Sequence, residues 1–360
     1  MSPLYVLPDS KGIYNELRQQ GDDVVVLNYR RYIYPPFITL KDYLLAPLRT
    51  IGRIYLSWKA SRQLVPILIR EHVQLVHTNS SVINIGYRAA LSLQLPHVFH
   101  IREYADLIGM YYLPTPSLYR RWLRHSHTIC ITRGVQQHYG LDISATTAYS
   151  QVIYDGVLPY AESLPPLTDG SNGETYFLNA GRVEPAKGLE FLLEGYAQYV
   201  QGSSQPLPLL VAGEQNVPSY SERIKSFLHT HQLESHVQLL GERPDILQLM
   251  EHARAIIIPT AFEGFGFCMT EAMFQGCLVV GRNTTGTREQ FDNGLQLQGQ
   301  EIGLRFETPE QLAQCLFQVS SMTKDQRASL RERAFATVNQ LYTSQASAKN
   351  VYDFYQKILT

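Results

Sequence analysis

"AIIIPTAFEGFGFCMTEAMFQGCLVV", residues 255–280, holds the key to how this chain folds. An apolar run ends at Pro259, a glycine-rich loop follows, a helical stretch begins near Met269 or Thr270, and "LVVG" (278–281) opens a second apolar run. Strand, loop, helix and strand in that order make the βαβ unit of a parallel sheet. Two glutamates, Glu263 and Glu271, stand eight residues apart in it. Along an uninterrupted helix that spacing is about 2.2 turns and roughly 12 Å, which leaves the carboxylates pointing apart. Glu263 is therefore expected on the loop at the strand's C-terminal end, and Glu271 in the first turn of the helix.

Working outward, the same rhythm recurs. "TYFLNA" (175–180), "LLVAG" (209–213), "VQLLG" (237–241) and "GLRF" (303–306) alternate with helical or loop stretches, as do "VVVLN" (24–28), "LVHTN" (75–79), "HVFHI" (97–101), "HTICIT" (127–132) and "QVIYDGV" (151–157). Leu189, Leu192, Leu193, Tyr196 and Val200 recur at helical spacing and predict one apolar face packed on a sheet. The reading is α/β, with two Rossmann-like domains of parallel strands and a ligand-binding cleft at the strands' C-terminal ends. "LPYAESLPPLTDGSNGE" is rich in Pro, Ser and Gly and reads as a connection. The expected division is 1–158, a linker over 159–173, a second domain over 174–342, and a helix over 343–360 packing back towards the first domain.

A chain of 360 residues suits two domains of about 150–190 residues each. Its formal charge of −1 conceals an asymmetry, because residues 1–158 hold 16 Lys+Arg against 10 Asp+Glu and the remainder 15 against 22. Cys130, Cys268, Cys277 and Cys315 lack CxxC or CxxH spacing, so neither a zinc site nor a disulfide framework is expected. No apolar run approaches the ~20 residues that span a bilayer, and "MSPLYVLPDSKG" lacks the features of a signal peptide. The expectation is a cytoplasmic protein with reduced thiols, and no nucleic-acid partner.

"GRVEPAKGLEFLL" (181–193) places Arg182 and Lys187 about a strand-to-helix turn. A lysine beside a helix N-terminus adds a full charge to the free N–H groups there, which suits a diphosphate. No GK[ST] follows, so this is not a Walker A loop. An exposed basic turn is the plainer alternative. In the loop of residues 264–267, the glycines let backbone approach a ligand, and amides near Cys268 and Met269 reach towards a phosphate. Glu271 read alone is equally a favourable charge at a helix start.

Together these segments resemble the family-4 retaining glycosyltransferases of GT-B fold. "EGFGFCMTEAMFQGCLVV" is similar to that family's Glu-x7-Glu signature, and "GRVEPAKG" to its Gly-Arg…Lys-Gly segment; "QVIYDGV", "VQLLGERPDILQLM" and "HIREY" match in the same order, over about residues 70–358. The resemblance implies two Rossmann-like domains with parallel sheets facing a central cleft. It implies that Glu271 binds the ribose of a nucleotide sugar, while Glu263 with the backbone of Gly264, Phe265, Gly266 and Phe267 holds the donor sugar. Arg182 and Lys187 would contact the diphosphate, with Gly181 and Arg243 on the matching segments. His100 would contact the donor sugar or lie beside the acceptor, although a lone histidine is more often structural. Arg102, Glu103 and His77 are weaker candidates.

Glycosyl transfer builds negative charge on the departing diphosphate, and Arg182, Lys187 and a helix N-terminus suit its stabilisation, the task a metal performs elsewhere. No Asp-x-Asp motif occurs, so neither a metal nor a further cofactor is expected. The activity implied is metal-independent, retaining hexosyl transfer from a nucleoside-diphosphate sugar to a sugar or lipid-linked acceptor in cell-surface polysaccharide or glycolipid synthesis. A nucleotide-sugar epimerase or hydrolase of the same fold, and a silent nucleotide-binding subunit, are the alternatives.

Two further expectations concern the first half. The family usually opens with a strand and a Gly-rich turn, whereas this chain opens "PLYVLPDSKGIYNELRQQGDDVVVL". Either the first βα unit is missing, with self-association, a partner chain or an upstream segment covering the gap, or Tyr5–Leu7 is a divergent first strand with Gly12 as its turn. The segment Lys41–Arg70 holds six Lys/Arg and one acid interleaved with Leu, Ile, Tyr and Trp58. It reads as a surface for anionic lipid, hence peripheral membrane attachment, or as a core-packing helix with a solvated basic face.

Overall fold

Strand Leu4–Leu7 (β1) runs parallel to Asp23–Val26 (β2), Tyr5 opposite Val24, with helix α1 (Tyr14–Gln19) between them. Tyr5–Leu7 is in a strand, and Gly12 turns the chain at φ +60° before α1. The structure is a computed structural model and describes residues 2–34, 40–107, 109–142, 148–165 and 176–360. It comprises two compact units, Met1–Ile153 with Asp353–Thr360, and Tyr154–Tyr352.

The first unit continues with β3 (Ile33–Tyr34), α2 (Leu40–Arg70), β4 (Val76–Thr78), α3 (Ile85–Leu93), β5 (His97–Ile101), β6 (Tyr111–Tyr112), α4 (Pro116–Arg124), β7 (His127–Cys130), α5 (Arg133–His138) and β8 (Ser150–Val152). Strands β4, β5, β7 and β8 form a parallel sheet in that order. Ala60, Leu64 and Leu68 of α2 pack with Val76, Ile85, Ala89 and Ala90 in its core. Strands β3 and β6 pair antiparallel, an element unseen in the sequence because two residues carry no period.

The second unit holds β9 (Phe177–Ala180), a 3-10 turn at Pro185–Lys187, α6 (Leu189–Gly202), β10 (Leu209–Ala212), α7 (Pro218–Thr230), β11 (Val237–Gly241), α8 (Ile246–Glu251) and β12 (Ala255–Ile258). Then come α9 (Phe267–Phe274), β13 (Val279–Arg282), α10 (Thr285–Gln298), β14 (Leu304–Phe306), α11 (Pro309–Ser321), α12 (Lys324–Leu341) and α13 (Ser344–Leu359). The sheet is parallel in the order β11-β10-β9-β12-β13-β14. The chain winds one way from β9 to β11, then crosses to β12 and winds the other way. The C-terminal ends of β9 and β12 thus flank the switch point, where doubly wound sheets bind ligands. Leu189, Leu192, Leu193 and Tyr196 of α6 are buried against this sheet, with Val200 at the margin.

The division between units falls at Ile153/Tyr154 rather than at residue 158. Strand β8 ends at Val152, and the residues after it bond to the second unit: Val157 N–H donates to Tyr342 O at 2.9 Å, and Ser344 N–H to Leu158 O at 2.9 Å. Helix α13 begins in the second unit, and its last residues from Asp353 are counted with the first. Residues 166–173 of the expected linker, and Thr175, lie outside the described residues. All four cysteines are free.

Candidate functional site

Each motif of the second unit arrives at the switch point on its own strand. Arg182 and Lys187 follow β9, and Glu263 follows β12. The two strands are neighbours in the sheet, which brings Lys187 Nζ to 2.8 Å from Glu263 Oε1. Both side chains are only partly exposed, so the pair is shielded on the protein side and open on the other. Arg182, exposed, pairs with Glu184 at 3.0 Å, and its guanidinium stays on the solvent side of the turn. Gly181 lies between β9 and Arg182. Arg243, past β11, is tied to Asp245 through two bonds of 2.8 and 2.6 Å. Strand β11 lies two places from β9, so the structure does not bring Arg243 into contact with Lys187 or Glu263.

Helix α9 begins at Phe267, two residues before the sequence placed it. Gly266 explains the early start: at φ +99° it turns the chain sharply, and its carbonyl accepts from the amides of Met269 (3.1 Å) and Thr270 (3.4 Å). Two corrections follow. The Met269 amide is already bonded, leaving Phe267 and Cys268 as the residues whose N–H groups head the helix. Glu271 lies past the first turn, half-buried; no hydrogen bond or ion pair from the described residues reaches its carboxylate, and burial raises its pKa. A desolvated carboxylate of this kind is stabilised by any hydrogen-bond donor a ligand brings to it. Burial, then the charges of Glu271 and Glu263, push the neighbouring Cys268 thiol up.

Helix α10 holds the loop of residues 263–266 in shape, a role the sequence reading missed. Gln290, buried, donates from Nε2 to the carbonyls of Phe265 (2.7 Å) and Gly266 (3.1 Å), and its Oε1 accepts from Thr270 Oγ1 (2.9 Å). Glu263 N–H donates to Thr285 Oγ1 at 2.9 Å, and Gly286 N–H to Glu263 O at 3.0 Å. A Cβ on Gly286 would sit 2.6 Å from Phe265 O and 2.8 Å from Glu263 O, so only glycine permits this approach. The available signal was "NTTGTREQ" (283–290), a glycine turn directly after a strand, as in the other two motifs.

In the first unit, His100 lies within β5 and is buried, rather than following the strand, because all five residues of "HVFHI" are buried in the sheet. Arg102 and Glu103 do follow it. Arg102 donates to Asn79 Oδ1 at 2.9 Å and, at 3.4 Å, to His100 Nδ1. A guanidinium cannot accept, so Nδ1 is the acceptor and His100 carries its proton on Nε2. Burial, then Arg102 and His77, lower the His100 pKa to about 2, which keeps the ring neutral. Glu103 accepts from Ser80 (3.1 Å) and Ser81 (2.7 Å). His77, its pKa lowered to about 4 chiefly by burial, stands 5.4 Å from His100 between ring centroids and is bonded to the Tyr355 hydroxyl. Tyr355 was not anticipated, since nothing local in α13 marks it.

Among the described residues no group of three or more His, Cys, Asp or Glu is placed to hold a metal ion, and no helix is long and apolar enough to cross a membrane.

Residues 169–336 match the family described as glycosyl transferases group 1. The uncharacterized glycosyltransferase YqgM of Bacillus subtilis (strain 168) is 34% identical over 113 residues, which is 31% of this chain and 30% of that protein. A glycosyltransferase from Rickettsia africae superposes with a TM-score of 0.74 over 99% of this chain and 90% of its own, at 18% identity. Anabaena Alr3699/HepE, solved in complex with UDP, gives 0.73 over 98% and 92% at 19% identity. At such identities the structures speak to fold alone. Residues 169–336 are thus similar to a group 1 glycosyl transferase domain, in an α/β chain of GT-B fold.

Proposed function

We propose that this chain is a metal-independent, retaining glycosyltransferase that moves a hexosyl group from a nucleoside-diphosphate sugar to a sugar or lipid-linked hydroxyl, in cell-surface polysaccharide or glycolipid synthesis. The observation that carries the reading is the Lys187–Glu263 pair at the sheet's switch point, with Glu271, unpaired among the described residues, on the helix that follows. One cation, one positioned carboxylate and one hydroxyl-accepting carboxylate match the three parts of such a donor: diphosphate, sugar and ribose. HepE is described in complex with UDP-glucose, which supports a uridine donor here.

In the reaction the bond from the anomeric carbon to the diphosphate oxygen breaks, and its electron pair leaves with the diphosphate. A bond to the acceptor oxygen forms, and the acceptor's proton passes to the departing phosphate. Lys187, Arg182 and the N–H groups heading α9 offset the charge that develops on the diphosphate. Glu263, released as the diphosphate engages Lys187, orients the sugar and stabilises positive charge at the anomeric centre; it is not assigned as a covalent nucleophile. His100, kept neutral by burial, is assigned as a hydrogen-bond donor to a sugar hydroxyl.

Thermal-shift measurements with UDP, GDP, ADP and their sugar conjugates test the donor class. A ligand at 100 times its Kd adds about 2.7 kcal/mol of stability. A uridine-selective shift, with free UDP and a glycosylated acceptor as products, is expected. No shift with any nucleotide would refute the reading, and free sugar or an epimer as sole product would replace transfer with another reaction.

A further inference from the structure

Helix α2 buries one face and leaves an apolar stripe in water on the other. Ser57, Ala60, Leu64 and Leu68 are buried, while Leu44, Leu48, Ile51, Tyr55 and Trp58 are 71, 69, 63, 56 and 41% exposed. At helical pitch these five fall within roughly 80° of one another, on the side away from the buried set. With Leu40 the stripe extends over 18 residues of rise, about 27 Å. An apolar strip of that length is not ordinary surface.

Charge identifies what covers it. Lys41, Lys59, Arg62 and Arg70 are exposed along the stripe and its flank, and the Arg62 guanidinium lies 5.0 Å from the Trp58 ring centroid. Residues 41–70 contain six Lys/Arg and a single acid. The spacing of the apolar residues, four, three, four and three apart, would also suit a helix from a second copy. Pairing of two such helices, however, sets cations beside cations, with one acid in each helix, Asp42, against six Lys/Arg. An anionic surface supplies the missing counter-charge. The chain's overall charge is −1, so any such attraction belongs to this helix and not to the molecule as a whole.

We infer that α2 is a membrane-docking helix, which lies in the interface of an anionic bilayer with Leu44, Leu48, Ile51, Tyr55 and Trp58 among the acyl chains and Lys41, Lys59 and Arg62 at the headgroups. It is too polar to cross the bilayer. Of the five, Tyr55 and Trp58 would lie shallowest, with their rings at the boundary between headgroups and acyl chains that such residues favour. This inference is independent of the donor site in the second unit.

The test is co-sedimentation of the purified full chain with vesicles of phosphatidylcholine alone and of phosphatidylcholine mixed with phosphatidylglycerol, at low and high salt. Binding to the anionic vesicles only, weakened by salt, is expected. Lys59→Ser with Arg62→Ser should weaken it about fivefold per cation removed, and Leu48→Ser with Ile51→Ser should abolish it. All four side chains are exposed, and unchanged circular-dichroism melts check that both variants fold. Absence of sedimentation with anionic vesicles overturns the inference, as does sedimentation that neither variant weakens. Self-association seen by analytical ultracentrifugation, lost in the Leu48→Ser/Ile51→Ser variant without any vesicle binding, would assign the stripe to a second copy instead.

Discussion

The ammonium of Lys187 rests 2.8 Å from the carboxylate of Glu263, although 76 residues of chain separate them. Each is the other's partner while the site is open to solvent. In the proposed reaction a diphosphate beside Lys187 would compete for the cation and free Glu263 to turn to the sugar, which would couple binding of the leaving group to positioning of the group that moves.

Lys187→Ala and Arg182→Ala should each slow transfer about a hundredfold, near 3 kcal/mol, with the fold intact. Single-turnover rates with the preferred donor give the measurement. Turnover at the wild-type rate in both variants would refute the assignment to the diphosphate.

Glu271→Ala is expected to weaken nucleotide affinity with a smaller effect on kcat, and Glu263→Ala to lower kcat with nucleotide affinity kept, because ribose is unchanged by the reaction and the sugar is not. Equilibrium binding of the nucleoside diphosphate alone, set beside kcat, separates the two. Equal effects on both quantities in both variants would abolish this division of labour.

Gly286→Ala introduces a methyl group 2.6 Å from the carbonyl of Phe265 and must displace the sugar-side loop. Gln290→Leu deprives the Phe265 carbonyl and the Thr270 hydroxyl of their Gln290 partner and removes one of the three bonds to the Gly266 carbonyl, at a cost of about 1–3 kcal/mol in stability. Both should lower kcat more than they weaken binding of the nucleoside diphosphate. If kcat is unaltered in both, the hold of α10 on the loop has no part in turnover.

The first unit should lose stability as pH falls. Burial lowers the pKa of His77, His97 and His100 to about 4, 3 and 2, from 6.5. The unfolded chain therefore takes up protons that the folded chain refuses, and stability is complete above pH 6.5 and declines below it. Each histidine contributes up to about 1.4 kcal/mol per pH unit in that window. Urea titrations followed by a probe in the first unit should show the decline between pH 6.5 and 4, reduced in His97→Asn. A flat profile across the window would contradict it.

The sequence by itself determined the elements that carry the chemistry. Apolar runs such as "AIIIP" and "HVFHI" are strands because their residues are apolar without interruption, and α6 is a helix because Leu189, Leu192, Leu193 and Tyr196 share one face. Lys187 and Glu263 were legible as candidates from the turns that follow strands, and Glu271 from the helix after the second of them, through the resemblance of its segment to the Glu-x7-Glu signature. What tertiary structure alone decided is who meets whom. Lys187 and Glu263 touch because the sheet sets β9 beside β12, an adjacency created by the chain's reversal of direction and absent from any local pattern. The hold of Gln290 on the loop depends likewise on two elements closing over one another. In α2, apolar residues occur on both sides of the helix, and only packing against α3 and β4 settles which side is core and which faces water. Local pattern is set by the intrinsic geometry of the backbone; partners are set by how separate elements share one sheet, and that is a property of the whole chain.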